Sequence, residues 1–357
     1  MSNASRCVAI APTVTLKRTV SDVGERALIA RITARLTQPP WVVLGPGDDA
    51  AVIKPERGTF DVITTDAQVE GVHFDCRFVP PEAIGYRALA VNLSDLAAMG
   101  AQPRAALLSL ALPDALEESA FDDMIDGLLA LASRYRVAVV GGNITRSSGP
   151  IVIDITAIGA VGPRKFLRRS DATVGDDVYV TGSIGDAFVG LRSLQARSSA
   201  GASESRSQDH ADACEGRYLR PDPRVRAGVL LGRNRAASAC IDLSDGLADG
   251  LRRIAEASGV GIAVDASLLP ISDEVRRWHQ THDRDPVTAA VAGGDDYELL
   301  FTSRPAQHGR LASVRRQIGG LAVTKIGTVT KDRALIMRTV EGDQQLPEGF
   351  EHFRCEG

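Results

Sequence analysis

Four acidic clusters recur along the chain, each at the end of an apolar run: Gly45-Pro46-Gly47-Asp48-Asp49-Ala50, Thr64-Thr65-Asp66, Asn92-Leu93-Ser94-Asp95 and Ile241-Asp242-Leu243-Ser244-Asp245-Gly246-Leu247. The apolar runs must be buried, yet a carboxylate beside Val, Ile and Leu is costly to bury without a compensating cation. Four such arrangements imply one strongly cationic guest gathered by loops from distant parts of the chain. Carboxylates and hydroxyls together suit hard divalent ions, above all Mg2+, which prefers oxygen and often arrives with phosphate. The fold must therefore converge several strand and helix ends on one point, as expected of a Mg-nucleotide site.

Bulk properties narrow the class. With 357 residues, 44% of them hydrophobic and 24% charged, the chain has enough material for two domains with their own cores. A formal net charge of −4 and the lack of a Lys/Arg block argue against nucleic acid as a partner. Cys7, Cys76, Cys214, Cys240 and Cys355 are odd in number and hold no C-x-x-C pair, which fits a reducing compartment. No apolar run approaches the roughly 20 residues of a membrane helix, and residues 1–16 argue against a signal peptide. The cytoplasm is the expected location.

Residues 1–21 read as a flexible tail. A helix is expected from about Asp22, with Glu25 completing a capping box, up to Pro39-Pro40. Strands are expected at 50–54 and 60–65, a long Ala/Leu-rich helix at 81–99 ending at Gly100, a strand at 104–112, a helix at 114–133, and strands at 136–141 and 150–161. This gives an α+β N-terminal domain over 22–162. An α/β C-terminal domain follows over 163–357. Its Ser/Ala/Gly-rich stretch 196–216 reads as a surface loop, and its strands are expected at 238–243, 261–265, 297–302, 322–329 and 333–339, with a helix at 246–257.

Each cluster also has a plainer reading. Asp48-Asp49 make an ordinary Gly/Asp turn. Thr64, Thr65 and Asp66 read as the end of a strand, able to offer hydroxyls and a carboxylate to a hard cation. His73 after them is more often structural than a ligand. Asp95 is harder to dismiss, because Asn92 and Asp95 share one face of a helix otherwise made of Ala, Leu, Val and Met. Asp242 and Ser244 share a face if the strand continues, while Ser244 or Asp245 is also suited to cap the next helix. Capping and phosphate binding at that helix start are compatible. Gly141-Gly142-Asn143 and Gly293-Gly294-Asp295 read as Gly-Gly turns that let backbone approach a ligand. There is no G-x-x-x-x-G-K-[ST] loop, kinase catalytic loop, G-x-S-x-G or H-E-x-x-H, so any ATP chemistry uses another phosphate cradle.

Taken in order, nine stretches resemble the thiamine-monophosphate kinases of the aminoimidazole-ribotide-synthetase-like superfamily. They are G-D-D-A (47–50), T-T-D-x3-E-G-V-H-F (64–74), A-L-A-V-N-L-S-D-L-A-A-M-G-A (88–101), G-G-N-I-T-R-S (141–147), G-D-D-V-Y-V-T-G-S-I-G-D-A (175–187), Y-L-R-P-D-P-R (218–224), D-L-S-D-G-L (242–247), G-G-D-D-Y-E-L (293–299) and G-F-E-H-F (349–353). The resemblance covers about residues 22–353. It implies the two-domain superfamily fold, a homodimer paired through the N-terminal domain, and phosphorylation of thiamine monophosphate by ATP. It further implies several Mg2+ ions held by Asp49, Thr64, Thr65, Asp66, Asp95, Asp242 and Asp245. ATP contacts would fall to Gly142, Asn143, Arg169 and Ser244, and the thiamine phosphate pocket to His73, Asp295 and Phe350. Sibling enzymes such as a ribotide synthetase or a selenophosphate synthetase use a similar Asp-rich site. Cys7 lacks the Gly-rich context of the latter's reactive cysteine, and the stretches 293–299 and 349–353 favour the kinases.

Overall fold

The computed structural model describes residues 17–200 and 208–347. Two sheets organise them. The first has four strands in the order Phe60–Val69, Val152–Val161, Gln102–Pro113, Ala138–Ser147, with only the last pair parallel. The second has seven, in the order Gly342–Gln345, Leu335–Thr339, Gly261–Asp265, Val323–Thr330, Asp177–Thr181, Leu299–Ser303, Cys240–Asp242. Its pairings are antiparallel except between Leu335–Thr339 and Gly261–Asp265. With their helices the sheets form an α+β N-terminal and a mixed α/β C-terminal domain. No helix among the described residues is long and apolar enough to cross a membrane.

The helix Pro81–Ala98 joins the halves. Only Pro81, Glu82, Tyr86 and Asp95 on it escape full burial, as expected of a helix that is apolar on every side. It packs on the first sheet, on the helices Glu118–Tyr135 and Val225–Asn234, and on the strand Cys240–Asp242. Glycine sets these spacings. A Cβ on Gly85 would lie 1.8 Å from the Met124 carbonyl oxygen, one on Gly127 1.9 Å from that of Glu82, and one on Gly228 1.9 Å from that of Ala97.

Several sequence expectations need correction. Ordered chain reaches back before residue 22: Lys17 pairs with Glu117 at 2.9 Å, and Val20 is buried. The capping box belongs to Thr19 and Asp22 on a short helix Val20–Val23; Gly24, at φ +81°, separates it from the helix Glu25–Arg35. Asp22 thus accepts from the Thr19 backbone instead of opening the longer helix. Thr64-Thr65-Asp66 does not end a strand but lies inside Phe60–Val69, because ladder pairing with Val152–Val161 continues to Val69. Gly141-Gly142-Asn143 is likewise no turn. It continues the strand Ala138–Ser147 past a bulge, and a Cβ on Gly142 would lie 1.9 Å from the Leu108 carbonyl oxygen, so that glycine serves strand approach. The stretch 196–216 is largely helical, within Asp186–Ala200 and Gln208–Leu219. Only 201–207 of it lie outside the described residues.

Candidate active site

Strand alternation decides which predicted residues meet. Thr64 and Asp66 project from the first sheet toward the helix Pro81–Ala98, and the Thr64 hydroxyl donates to Asp95 Oδ2. Asp242, the last residue of its strand and fully buried, accepts from the Ser94 hydroxyl at 2.7 Å. Ser94 and Asp95 are neighbours on one helix, so a single turn addresses both domains. Three carboxylates thereby converge. Burial, then the charges of Asp95 and Asp242, and an interaction with the Asp95 carboxyl, push Asp66 up to about 7. Burial and the Asp95 charge also push Asp242 up, against a small opposing pull from Arg169. Burial raises Asp95 as well, with Thr64 and Arg169 acting the other way. Such mutual repulsion is what a bound cation relieves.

The next loop carries Ser244 and Asp245. The helix Leu247–Ser258 starts at Gly246 with no side-chain cap, so the capping role open to Ser244 or Asp245 is not taken up. The Ser244 hydroxyl lies 3.3 Å from Asp245 Oδ2 and Arg253 3.5 Å from the same atom. The uncapped first turn leaves backbone N–H groups for an anion.

Asp66, Asp95, Asp242, Ser244 and Asp245 line one cleft of about 1150 Å3, together with His73, Tyr218, Asp295 and Tyr297. That exceeds the roughly 300–1,000 Å3 typical of a single small-ligand pocket. The His73 Nδ1 accepts from the Val69 N–H at 3.1 Å, which leaves Nε2 to carry the proton of the neutral ring. Asp295 and Tyr297 hold left-handed backbone at φ +68° and +50°, a conformation uncommon for residues other than glycine. Sequence reasoning missed their anchor. Arg87, with its side chain 1% exposed, reaches Asp295 at 2.9 Å and stacks on Tyr218 at 4.2 Å, and the Tyr218 hydroxyl donates to the His73 carbonyl at 3.2 Å. A lone cation in an Ala/Leu helix was the available signal. Ser94, hidden inside N-L-S-D, was missed too.

Other predicted residues stand apart. Thr65 donates to Asp154 at 3.1 Å on the opposite face of the sheet from Thr64 and Asp66. The register Asn143–Ser109–Asp154 puts Asn143 on that open face as well. Asp49 is exposed in a hairpin whose Val42, Ala51 and Ile53 pack on Ala105, Ala138 and Val140. Gly142 holds two strands together. Phe350 lies outside the described residues. No group of three His, Cys, Asp or Glu among the described residues is in place to hold a metal by itself.

Comparisons with known proteins agree with this architecture. Residues 47–161 match the family model of the AIR synthase related protein, N-terminal domain, and residues 173–339 that of its C-terminal domain. The thiamine-monophosphate kinase of Bacillus subtilis is 36% identical over 336 residues, covering 93% of this chain and 100% of that protein. The crystal structure of the thiamine-monophosphate kinase from Stenotrophomonas maltophilia K279a is 39% identical and superposes with a TM-score of 0.77, covering 87% of this chain and 95% of that one. A structure of AaThiL complexed with AMPPCP and TMP is 31% identical, with a TM-score of 0.73 over 96% of this chain and 100% of that one. Two domains matched in order, and relatives above a third identity along nearly the whole length, leave one assignment: the chain belongs to the thiamine-monophosphate kinase family of AIR synthase related proteins.

Proposed function

We propose that the chain phosphorylates thiamine monophosphate with ATP, giving thiamine diphosphate and ADP by direct in-line transfer assisted by Mg2+. The observation that carries this reading is the convergence of Asp66, Asp95 and Asp242 from three elements in a cleft large enough for two ligands. The relatives' names and the AMPPCP and TMP bound by AaThiL support it.

The donor set fits Mg2+. Hydroxyl and carboxylate oxygens are its preferred ligands, and it is usually held by one or two carboxylates plus substrate phosphates and water instead of a complete protein cage. Asp66, Asp95, Asp242 and Asp245, with Thr64 in support, would be shared among several such ions, the substrate phosphates and water completing each shell. Asp49, Thr65 and Asn143, on the other face, are left out of this set. Bound Mg2+ would neutralise the phosphates and align the transfer.

The chain's own residues have a limited task. The nucleophile is a phosphate oxygen, and a phosphomonoester with a second pKa near ~6 is largely ionised at neutral pH, so no catalytic base is required. Arg169, whose charge acts on Asp95 and Asp242, would contact ATP, as would Ser244. Asp295 offers a carboxylate to the cationic thiazolium, and His73 offers an N–H on the same wall. Positioning and charge compensation supply the rate.

The open face of the first sheet fits the homodimer implied by the resemblance. On it Ile63 is 66% exposed and Leu107 38%, and on the hairpin Val42–Leu44/Val52–Ile53 Val43 is 58% and Val52 49% exposed, an apolar surface unusual for an isolated domain. ATP use and the absence of a spanning helix among the described residues suit a cytoplasmic enzyme.

The test is ADP release with Mg-ATP, with and without thiamine monophosphate, with the product identified by mass. Thiamine diphosphate formation that falls at least about a hundredfold in Asp245→Asn supports transfer and metal role together. ADP release indifferent to thiamine monophosphate would sink the proposal.

A further inference from the structure

A second cavity lies outside the cleft. It is an open depression of about 450 Å3 and shares no lining residue with the first. Three segments build it: the connection 162–173 after the strand Val152–Val161, the end of the helix Val225–Asn234, and the turn Pro305–Gln307 after Leu299–Ser303. The connection divides the two sites. Arg169 acts on the cleft carboxylates, whereas Arg168 on its other side lines the second cavity.

The chemistry of this cavity is one-sided. Arg164, Lys165, Arg168, Arg235 and Arg304 line it against the single carboxylate of Asp171. Asp171 is engaged by Arg168 at 2.8 Å. Among the described residues no carboxylate pairs with Arg164, Lys165, Arg235 or Arg304. Like charges around a concave space repel one another when it is empty and gain most from a multivalent anion. Arginine forks match phosphate oxygens in particular.

We propose that this cavity is a second anion site, taking a small phosphate-bearing compound of diphosphate size, separate from the transfer cleft. Its concave form and volume, within the range of small-ligand pockets, favour a free small molecule over a macromolecular backbone.

The probe is inorganic pyrophosphate, titrated calorimetrically into the full chain in EDTA, without Mg2+ or ATP. Saturable binding is expected that weakens at least about tenfold in the Arg235→Ala/Arg304→Ala double variant, weakens further with salt, and is unchanged in Arg169→Ala. Both substituted side chains are exposed, and thermal melting checks that the double variant folds. Arg304→Glu alone should reproduce the loss. No binding by the unaltered chain, unchanged affinity in both cavity variants, or an equal loss in Arg169→Ala would overturn the proposal, the last by moving the anion into the cleft.

Discussion

The Asp295 carboxylate in the cleft wall is held by a guanidinium that solvent barely reaches. Arg87 contacts Asp295, Tyr218 and, through Tyr218, the backbone of His73. It touches no proposed metal ligand, so its loss should be felt by one substrate only. Arg87→Met is expected to raise the KM for thiamine monophosphate about tenfold or more, since a charge-assisted bond contributes roughly 1.5–3 kcal/mol. The KM for ATP should stay within about twofold, and Arg87→Lys should recover part of the loss. Steady-state kinetics with each substrate varied in turn decide the matter; equal changes in both KM values would make Arg87 merely structural. Such a residue is hard to read from sequence. Asp66, Asp95 and Asp242 announce themselves because acids interrupt apolar runs, but Arg87 is one more non-apolar letter, and its partner lies 208 positions away.

Elements explain which expectations held. The helix Pro81–Ala98 was legible from its length and Ala/Leu content, because any such segment must be buried on all sides. The side of the sheet on which a residue falls was not legible, because a one-residue step reverses it. Thr64 and Thr65 are adjacent in sequence, yet only Thr64 faces the carboxylates. Gly141-Gly142 misled for a related reason: the absence of a Cβ signals close approach, but the approaching atom is Leu108 of the next strand. Close approach also sets the position of the site. Gly127→Ala would drive a methyl into the Glu82 carbonyl and push apart the helices Pro81–Ala98 and Glu118–Tyr135. Overpacking of this kind costs about 1–3 kcal/mol. Because Ser94 and Asp95 ride on the displaced helix, a lower Tm should come with lower turnover at temperatures where the variant is still folded. Unchanged turnover there would mean that the helix can shift without moving the carboxylates.

At the scale of the molecule, the two faces of the first sheet serve different ends. The open face predicts association: Ile63→Lys together with Leu107→Lys should shift the mass found by sedimentation from dimer to monomer, and an unaltered chain that is already monomeric would reject the dimer. The cleft face stores charge repulsion. Burial and its acidic neighbours raise Asp66 to about 7, whereas an unfolded aspartate titrates near ~3.9. Between those values the native state keeps a proton that the unfolded chain has lost, so stability falls as pH rises through that window. The Asp242 shift has the same sign. In EDTA, Tm should therefore decline from pH 5.5 to 8, and Asp66→Asn should decline less, because its amide has no proton to give up. Mg2+ with ATP should restore Tm, by about 2.7 kcal/mol of added stability at a hundredfold excess over Kd. The gain should be larger at pH 8 than at pH 5.5, since metal and proton compete for the same oxygens. Scanning calorimetry of both chains at the two pH values, with and without Mg-ATP, separates the contributions. Parallel pH slopes for the two chains would place the repulsion elsewhere, whereas a smaller slope in Asp66→Asn and a larger Mg-ATP gain at pH 8 would tie fold stability and metal binding to the same carboxylates.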